Sequence, residues 1–324
     1  MTLKRKQDGI YIDNSIIDTL KKSDGIIFDC DGVLIDITKS YDITITKTVR
    51  YVLKEFSNIT DFIDIDSKII DGFKSTGGFN DEVDLTYASI ITLFAGKKLQ
   101  RNQREFVFEV IKNCDSSGIF SAERYIEKFI DIDEIKNKLS YPGSHYDNPL
   151  YQIFDQLFYG PELYEKLFKN KSNFLYQGLI ENDIVILTDS LISKLKIKFN
   201  SKMSIVTGRG KESVRYSLKK LLDTFDLTNS AFLEDESRDM AKPNPESLIR
   251  AIKGMNSTNS IYVGDSMEDL IMAKKATDQG YKTTFCGIIG TSKHPQEKLE
   301  LFEKNGILVV LESINLLPKV INLE

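Results

Sequence analysis

From Met203 onward, short apolar runs alternate with amphipathic stretches at a steady interval. The runs in "MSIVTG", "AFLED", "SIYVGD" and "KTTFCG" are rich in β-branched and aromatic residues and close on Gly or Asp. That is the pattern of short buried strands. Between them, "KESVRYSLKKLLDTF", "PESLIRAIKGM" and "MEDLIMAKKATDQG" space their apolar residues as helices do, and "PQEKLELFEKNGILVVL" supplies a last helix and strand. "DIVILTDSLISKLK" reads as the helix that leads into "MSIVTG". Strands separated by helices of this length predict an α/β fold, a doubly wound parallel sheet wrapped by helices. One more run of the same kind, Ile26-Ile27-Phe28, stands far upstream.

The stretch between that run and the others has a different character. In "ITKSYDITITKTVRYVLKEF" the apolar positions Ile43, Val49, Val52, Leu53 and Phe56 fall at helical spacing. "LTYASIITLFAGKKL", "REFVFEVIKNC", "SAERYIEKFI" and "PELYEKLFKN" read as further helices, separated by polar, glycine-bearing loops such as "KSTGGFNDE" and "SYPGSHYDNP". Residues 37–171 are therefore expected to be a helical insertion. Residues 1–36 and 172–324 would form the core, its first strand before the insertion and the rest after it. The first two dozen residues read as a short lead-in that ends in the polar turn "KKSDG".

Composition narrows the class. Of 324 residues, 41% are hydrophobic and 28% charged, enough apolar material for a sizeable core. A net charge of −5 gives no hint of the basic face that nucleic-acid binders carry. Three cysteines, Cys30, Cys114 and Cys286, are few, odd in number and far apart. They argue against a disulfide framework and for a reducing compartment. The N-terminal "MTLKRKQDGIYIDNS" lacks the apolar core of a signal peptide, and no apolar stretch reaches the ~18 residues of a membrane span. The expectation is a cytoplasmic protein with no membrane or nucleic-acid partner, its oligomeric state open between monomer and homodimer.

The chemistry stands where the apolar runs end. Asp29 and Asp31 follow the first run with one residue between them. Two carboxylates at the end of a buried strand repel each other and lose hydration, which is costly unless a cation or a reaction needs them there. Thr207, Gly208, Arg209 and Gly210 follow the second run; Gly264 and Asp265 follow "SIYV", with Asp269 four positions on; Lys242 stands in "AKPNPESL". In an open parallel sheet, ligands bind at the carboxyl ends of the strands, so these clusters are expected to converge. Grouped carboxylates suit a hard divalent cation such as Mg²⁺. A Thr hydroxyl, backbone N–H groups of a Gly-flanked turn opening a helix, and a Lys suit phosphate oxygens. A carboxylate nucleophile beside both describes phosphoryl transfer through an aspartyl phosphate.

These four stretches, "DCDGVLID", "IVTGR", "KPNPESL" and "GDSMEDL", resemble the four motifs of the haloacid dehalogenase (HAD) superfamily of phosphatases, in the right order and at the right places in the fold. The phosphoglycolate-phosphatase-like members are the most similar subgroup, here with an enlarged helical cap. The resemblance implies that Asp29 takes the phosphoryl group and that Asp31 is the general acid, whose carbonyl also ligates Mg²⁺. It implies that Asp29 and Asp265 are the side-chain metal ligands. Asp269 would bind the metal through water or orient Asp265 and Lys242. Thr207, Gly208 and Lys242 would hold phosphate oxygens, with help from the N–H of Gly32. Since an alkoxide leaving group needs a proton and a halide does not, Asp31 favours a small phosphate ester as substrate. A sugar-phosphate mutase of the same fold and a non-catalytic phosphate-binding protein are the alternatives.

Further candidates stand beside these. Arg209 either faces substrate or pairs with a carboxylate. In "FKSTGGFNDEVDL", Gly77-Gly78 could let backbone approach a substrate read by Lys74, Asn80 or Asp81; a plain turn between helices is the alternative. Cys30 should point away from its catalytic neighbours by strand alternation. His145 and His294 stand in polar loops without evident partners, Asp36 reads as a helix start, and Tyr151, Phe154, Phe158 and Tyr159 read as insertion core.

Overall fold

The computed structural model describes residues 3–79 and 81–323. The strands among them are β1 (Lys4–Gln7), β2 (Ile10–Ile12), β3 (Gly25–Phe28), β4 (Ile35–Asp36), β5 (Ile184–Val185), β6 (Met203–Thr207), β7 (Ala231–Phe232), β8 (Ser260–Gly264), β9 (Thr283–Ile288) and β10 (Val309–Leu311). Eight of them form one sheet in the order β1-β2-β10-β9-β8-β3-β6-β7. From β10 to β7 all neighbours are parallel. Every residue of β3, β6, β8 and β10 is buried, which is why these segments read as continuous apolar runs: helices cover both faces of the sheet. Phe28 lies opposite Ile205 on one side and Val263 on the other, so β3 ends between β6 and β8.

The N-terminal residues do more than lead in. β1 and β2 form an antiparallel hairpin that pairs with β10 and extends the sheet. The "DIVIL" segment also departs from its helical reading. Ile184 and Val185 pair with Asp36 and Ile35, and the helix starts only at Asp189, behind a Thr188 cap. Asp36 is accordingly a strand residue. These β-branched residues follow the propensity of a two-residue ribbon rather than the helical pattern downstream.

The chain divides into two compact units, Met1–Ile37 with Ile184–Glu324, and Thr38–Asp183. The second is helical among its described residues. Its central helix, Glu82–Lys98, is buried at Val83 and from Leu85 to Gly96, and a helix that is apolar all round belongs inside a bundle. The helices Tyr41–Ser57, Gln103–Lys112, Ile119–Ile126 and Pro149–Phe168 pack around it. Tyr151, Phe154, Phe158 and Tyr159 are buried in this unit.

This unit runs to Asp183, past the position 171 at which the sequence pattern ends. The reason is Gly160, which breaks the helix Pro149–Phe168 with φ 70° and ψ 172°. A Cβ there would stand 2.4 Å from the N of Gly178, so glycine lets the 172–183 stretch lie against the break. Ser172 and Asn173 also donate hydrogen bonds to Gln156.

Candidate active site

The nucleophile loop is shaped by hydrogen bonds that continue from β3. Asp29 N donates to Val263 O at 2.8 Å, and the N–H groups of Val33, Leu34 and Ile35 turn back to Cys30 O. Gly32 carries φ +72°, a conformation that L side chains rarely adopt, and a Cβ on it would fall 2.3 Å from Oδ2 of Asp265. Glycine is thus required twice over, for the turn and for the approach of that carboxylate. The Gly32 N–H donates to Ile35 O at 2.8 Å. It is spent inside the turn, which corrects the expectation that it helps to hold phosphate.

Three carboxylates, Asp29, Asp265 and Asp269, place one oxygen each within 4.8 Å of one another. Such a set of hard oxygen donors could hold a divalent cation. Asp269 differs from the other two, because both of its oxygens are already engaged. Oδ1 accepts from Tyr262 Oη at 2.7 Å and pairs with Lys242 Nζ at 2.7 Å. Oδ2 accepts from the N–H groups of Asp265 and Ser266 and from Ser266 Oγ. Ser266 and Asp269 form a reciprocal capping box at the start of the helix Met267–Asp278. Asp269 thus contacts both the Asp265 backbone and the Lys242 ammonium.

Lys242 is the buried cation of the cluster. Its Nζ lies 2.9 Å from Asp29 Oδ1 and 2.7 Å from Asp269 Oδ1 with no solvent exposure of the side chain. Burial would lower its pKa, but the Asp269 and Asp29 carboxylates outweigh that and hold it charged. Burial also pushes Asp29 well above the usual carboxylate range; Lys242 opposes the rise, while Asp269, Asp265 and Asp31 add to it. Asp269 is buried too, yet the Lys242 ion pair and the hydrogen bonds from Lys242, Tyr262 and Ser266 keep it below the ordinary value.

Asp31 faces another partner. Arg209, 2% exposed, grips its carboxylate through Nη2 at 2.9 Å and Nε at 3.3 Å, and its Nη1 donates to Ser217 Oγ at 2.9 Å. Arg209 thus pairs with a carboxylate, one of the two readings the sequence left open. Thr207 ends β6 fully buried. The helix that follows, Lys211–Leu218, has its first N–H groups occupied, since Gly210 N and Lys211 N donate to the Glu234 and Asp235 carboxylates. Those two groups are not open to a phosphate, which narrows the expected cradle to Thr207, Gly208 and Lys242.

Other expectations land elsewhere. Lys74 belongs to the helical unit and pairs with Glu82 at 2.9 Å; Asn80 lies outside the described residues. Gly78 serves packing within that unit. Its carbonyl lies where a Cβ of Gly118 would be, 2.3 Å away, so two loops meet backbone to backbone. His145 Nδ1 lies 2.7 Å from Asp155 Oδ2 within the helical unit. Cys30 is fully buried, and burial raises its thiol far above the ordinary range, which leaves it inert.

Four residues at the site were not singled out from the sequence. Tyr262 and Ser266 hold Asp269; Thr291 Oγ1 donates to Gly32 O at 2.9 Å; Lys298 Nζ lies 2.7 Å from Asp265 Oδ2. Only Ser266 had a local signal, the Ser-x-x-Asp spacing of a capping box. The others are brought in by the fold.

A family model described as "Hydrolase: haloacid dehalogenase-like hydrolase" matches residues 24–277. Among curated proteins, an imidazoleglycerol-phosphate dehydratase of Phytophthora nicotianae is 27% identical over 176 residues, covering 48% of this chain and 36% of that protein, so the match spans well under half of the relative. Among solved structures, phosphatase Tt82 from Thermococcus thioreducens superposes with a TM-score of 0.52 at 21% identity, over 85% of this chain and 98% of the other. A beta-phosphoglucomutase from Clostridium difficile gives 0.45 at 17% identity, over 92% and 97%.

Proposed function

The chain belongs to the haloacid dehalogenase-like hydrolases, and on that premise we propose that it is a Mg²⁺-dependent phosphomonoester hydrolase acting on a small phosphorylated metabolite. The observation that carries this reading is the convergence at the ends of β3, β6 and β8. Asp29, Thr207 and Asp265 end three adjacent parallel strands, and Lys242 joins Asp29 to Asp269 at 2.9 and 2.7 Å.

In this reading Asp29 attacks the phosphorus and becomes the aspartyl phosphate, and the ester oxygen leaves. Asp31 gives that oxygen its proton, then takes one from the water that releases phosphate. Asp29, Asp265 and the Asp31 carbonyl would hold Mg²⁺, which when bound offsets the carboxylate charge and attracts the phosphate dianion. The fit rests on the donor set, all oxygen, with Oδ1 of Asp265 accepting no hydrogen bond among the described residues. Lys242 keeps Asp29 placed and offers a charge to a phosphate oxygen, while Thr207 offers a hydroxyl. Arg209 holds the Asp31 carboxylate in a fixed orientation. The protein is read as cytoplasmic.

The test is phosphate release from a panel of small phosphomonoesters, with and without Mg²⁺, for wild type and Asp29→Asn. Metal-dependent release that Asp29→Asn abolishes is the expected result. Equal release by the variant would remove Asp29 from the mechanism, and transfer to a second sugar hydroxyl that requires a bisphosphate activator would replace hydrolase by mutase.

A further inference from the structure

Four carboxylates crowd the ends of β3 and β8, and the cations that face them are not alike. Lys242 is wholly buried and bridges Asp29 and Asp269. Arg209 is buried and paired with Asp31. Lys298 comes from the helix Pro295–Lys304, keeps 18% of its side chain exposed, and forms its one ion pair among the described residues with Asp265, itself 24% exposed.

The platform that delivers Lys298 is fixed. A Cβ on Gly290 would stand 2.0 Å from Glu312 O, so the loop after β9 is seated against the end of β10. Thr291 ties that loop to the Gly32 carbonyl at 2.9 Å. Phe302, 1% exposed, lies where a Cβ of Gly287 would be, 2.6 Å away, and its ring centroid is 5.9 Å from Lys298 Nζ. The helix is thus locked to the sheet, while the end of the lysine chain stays within reach of solvent. Its Nζ takes Oδ2 of Asp265.

We propose that Lys298 is an internal counter-ion of the metal site, which neutralises Asp265 while no cation is bound and lowers the affinity of the site for one. The inference rests on the reading of Asp265 as a metal ligand. A buried bridging lysine such as Lys242 could not be spared without stranding two carboxylates. Lys298 makes a single, partly exposed ion pair and can give it up to water at little cost. An ammonium on a ligating carboxylate also draws charge from it and repels a second cation. The site then fills and empties readily, rather than holding its metal as a structural part.

The experiment measures Mn²⁺ binding by electron paramagnetic resonance and Mg²⁺ binding by calorimetry, without substrate, for wild type, Lys298→Met, Lys298→Arg and Asp265→Asn. Lys298→Met is expected to bind Mn²⁺ roughly tenfold tighter, the scale of repulsion between a double and a single charge a few ångströms apart in a water-like dielectric. Its metal-free form should melt below wild type, and saturating Mg²⁺ should close that gap. Lys298→Arg should match wild type in both. Unchanged or weaker binding by Lys298→Met overturns the proposal. Wild-type binding retained by Asp265→Asn would show that the ion sits elsewhere, overturning the ligand assignment and the proposal with it; loss of binding in Asp265→Asn beside no gain in Lys298→Met would overturn the proposal alone.

Discussion

Replacing Lys242 by Met removes one charge from the middle of the site and keeps the length of the side chain. Two buried carboxylates, 2.9 and 2.7 Å from the ammonium, then lose their counter-ion. Breaking a buried pair on one side costs about 3–5 kcal/mol, because the charge left behind cannot reach water. At about 2–4 °C per kcal/mol for a folded unit of some 150–250 residues, the melting temperature should fall by roughly 6–20 °C. The loss should also depend on pH. Burial already raises Asp29, and Lys242 opposes that rise. With the ammonium gone, Asp29 rises further. A carboxyl raised in the folded state costs stability as pH climbs from its unfolded value of about 3.9 toward the folded one. The deficit of Lys242→Met should thus be larger at about pH 8 than at about pH 5. Thermal melts followed by circular dichroism in EDTA measure both. A variant that melts like wild type, or loses the same amount at both pH values, would refute the reasoning.

Asp31→Asn should lose about 10²–10⁴-fold in turnover if it removes the proton donor, read as kcat on the best ester of the panel. It also removes the carboxylate charge that pairs with the buried Arg209 at 2.9 Å, so a lowered melting temperature should accompany the loss. In Gly32→Ala, the new Cβ at 2.3 Å from Asp265 Oδ2 must push that carboxylate aside, and φ +72° adds about 1–2 kcal/mol of strain. Calorimetry should show Mg²⁺ binding weakened or lost, and wild-type affinity would contradict the stacking. Asp24, outside the site, accepts hydrogen bonds from Asn259 N, Thr258 N, Ser257 Oγ and Lys202 Nζ at the foot of the sheet. Burial would raise its pKa, but those bonds together hold it well below the usual range. Its stabilisation is complete above the unfolded value of about 3.9 and fades as pH falls toward the depressed folded value. Asp24→Ala should cost about 1–2 kcal/mol near neutrality by urea titration, with the gap narrowing below about pH 4.

The strands of the sheet were legible because strands buried on both faces must be apolar throughout, and "GIIF", "MSIV" and "SIYVG" are. The ends of those runs exposed the chemistry for the same reason: an Asp directly after an apolar run is out of place unless the fold uses it. What escaped was short or depended on a neighbour. "IVIL" at 184–187 is apolar enough for a helix or a strand, and pairing with Ile35 and Asp36 decided in favour of a strand. The β1–β2 hairpin gained its place only by meeting β10, some three hundred residues on.

By itself, then, the sequence determined the strands β3, β6, β7, β8, β9 and β10 with the helices between them, the helical insertion, and Asp29, Asp31, Thr207, Lys242, Asp265 and Asp269 as candidates for one site. These follow from periodicity and from residues set beside strand ends, both local properties. The tertiary structure alone decided which charges meet. It gave Arg209 to Asp31, put Lys242 between Asp29 and Asp269, turned the Gly32 N–H inward to Ile35, and carried Lys298 from a distant helix to Asp265. Coulomb interactions and hydrogen bonds act over a few ångströms in space, and residues far apart in the chain come that close only once the sheet has formed.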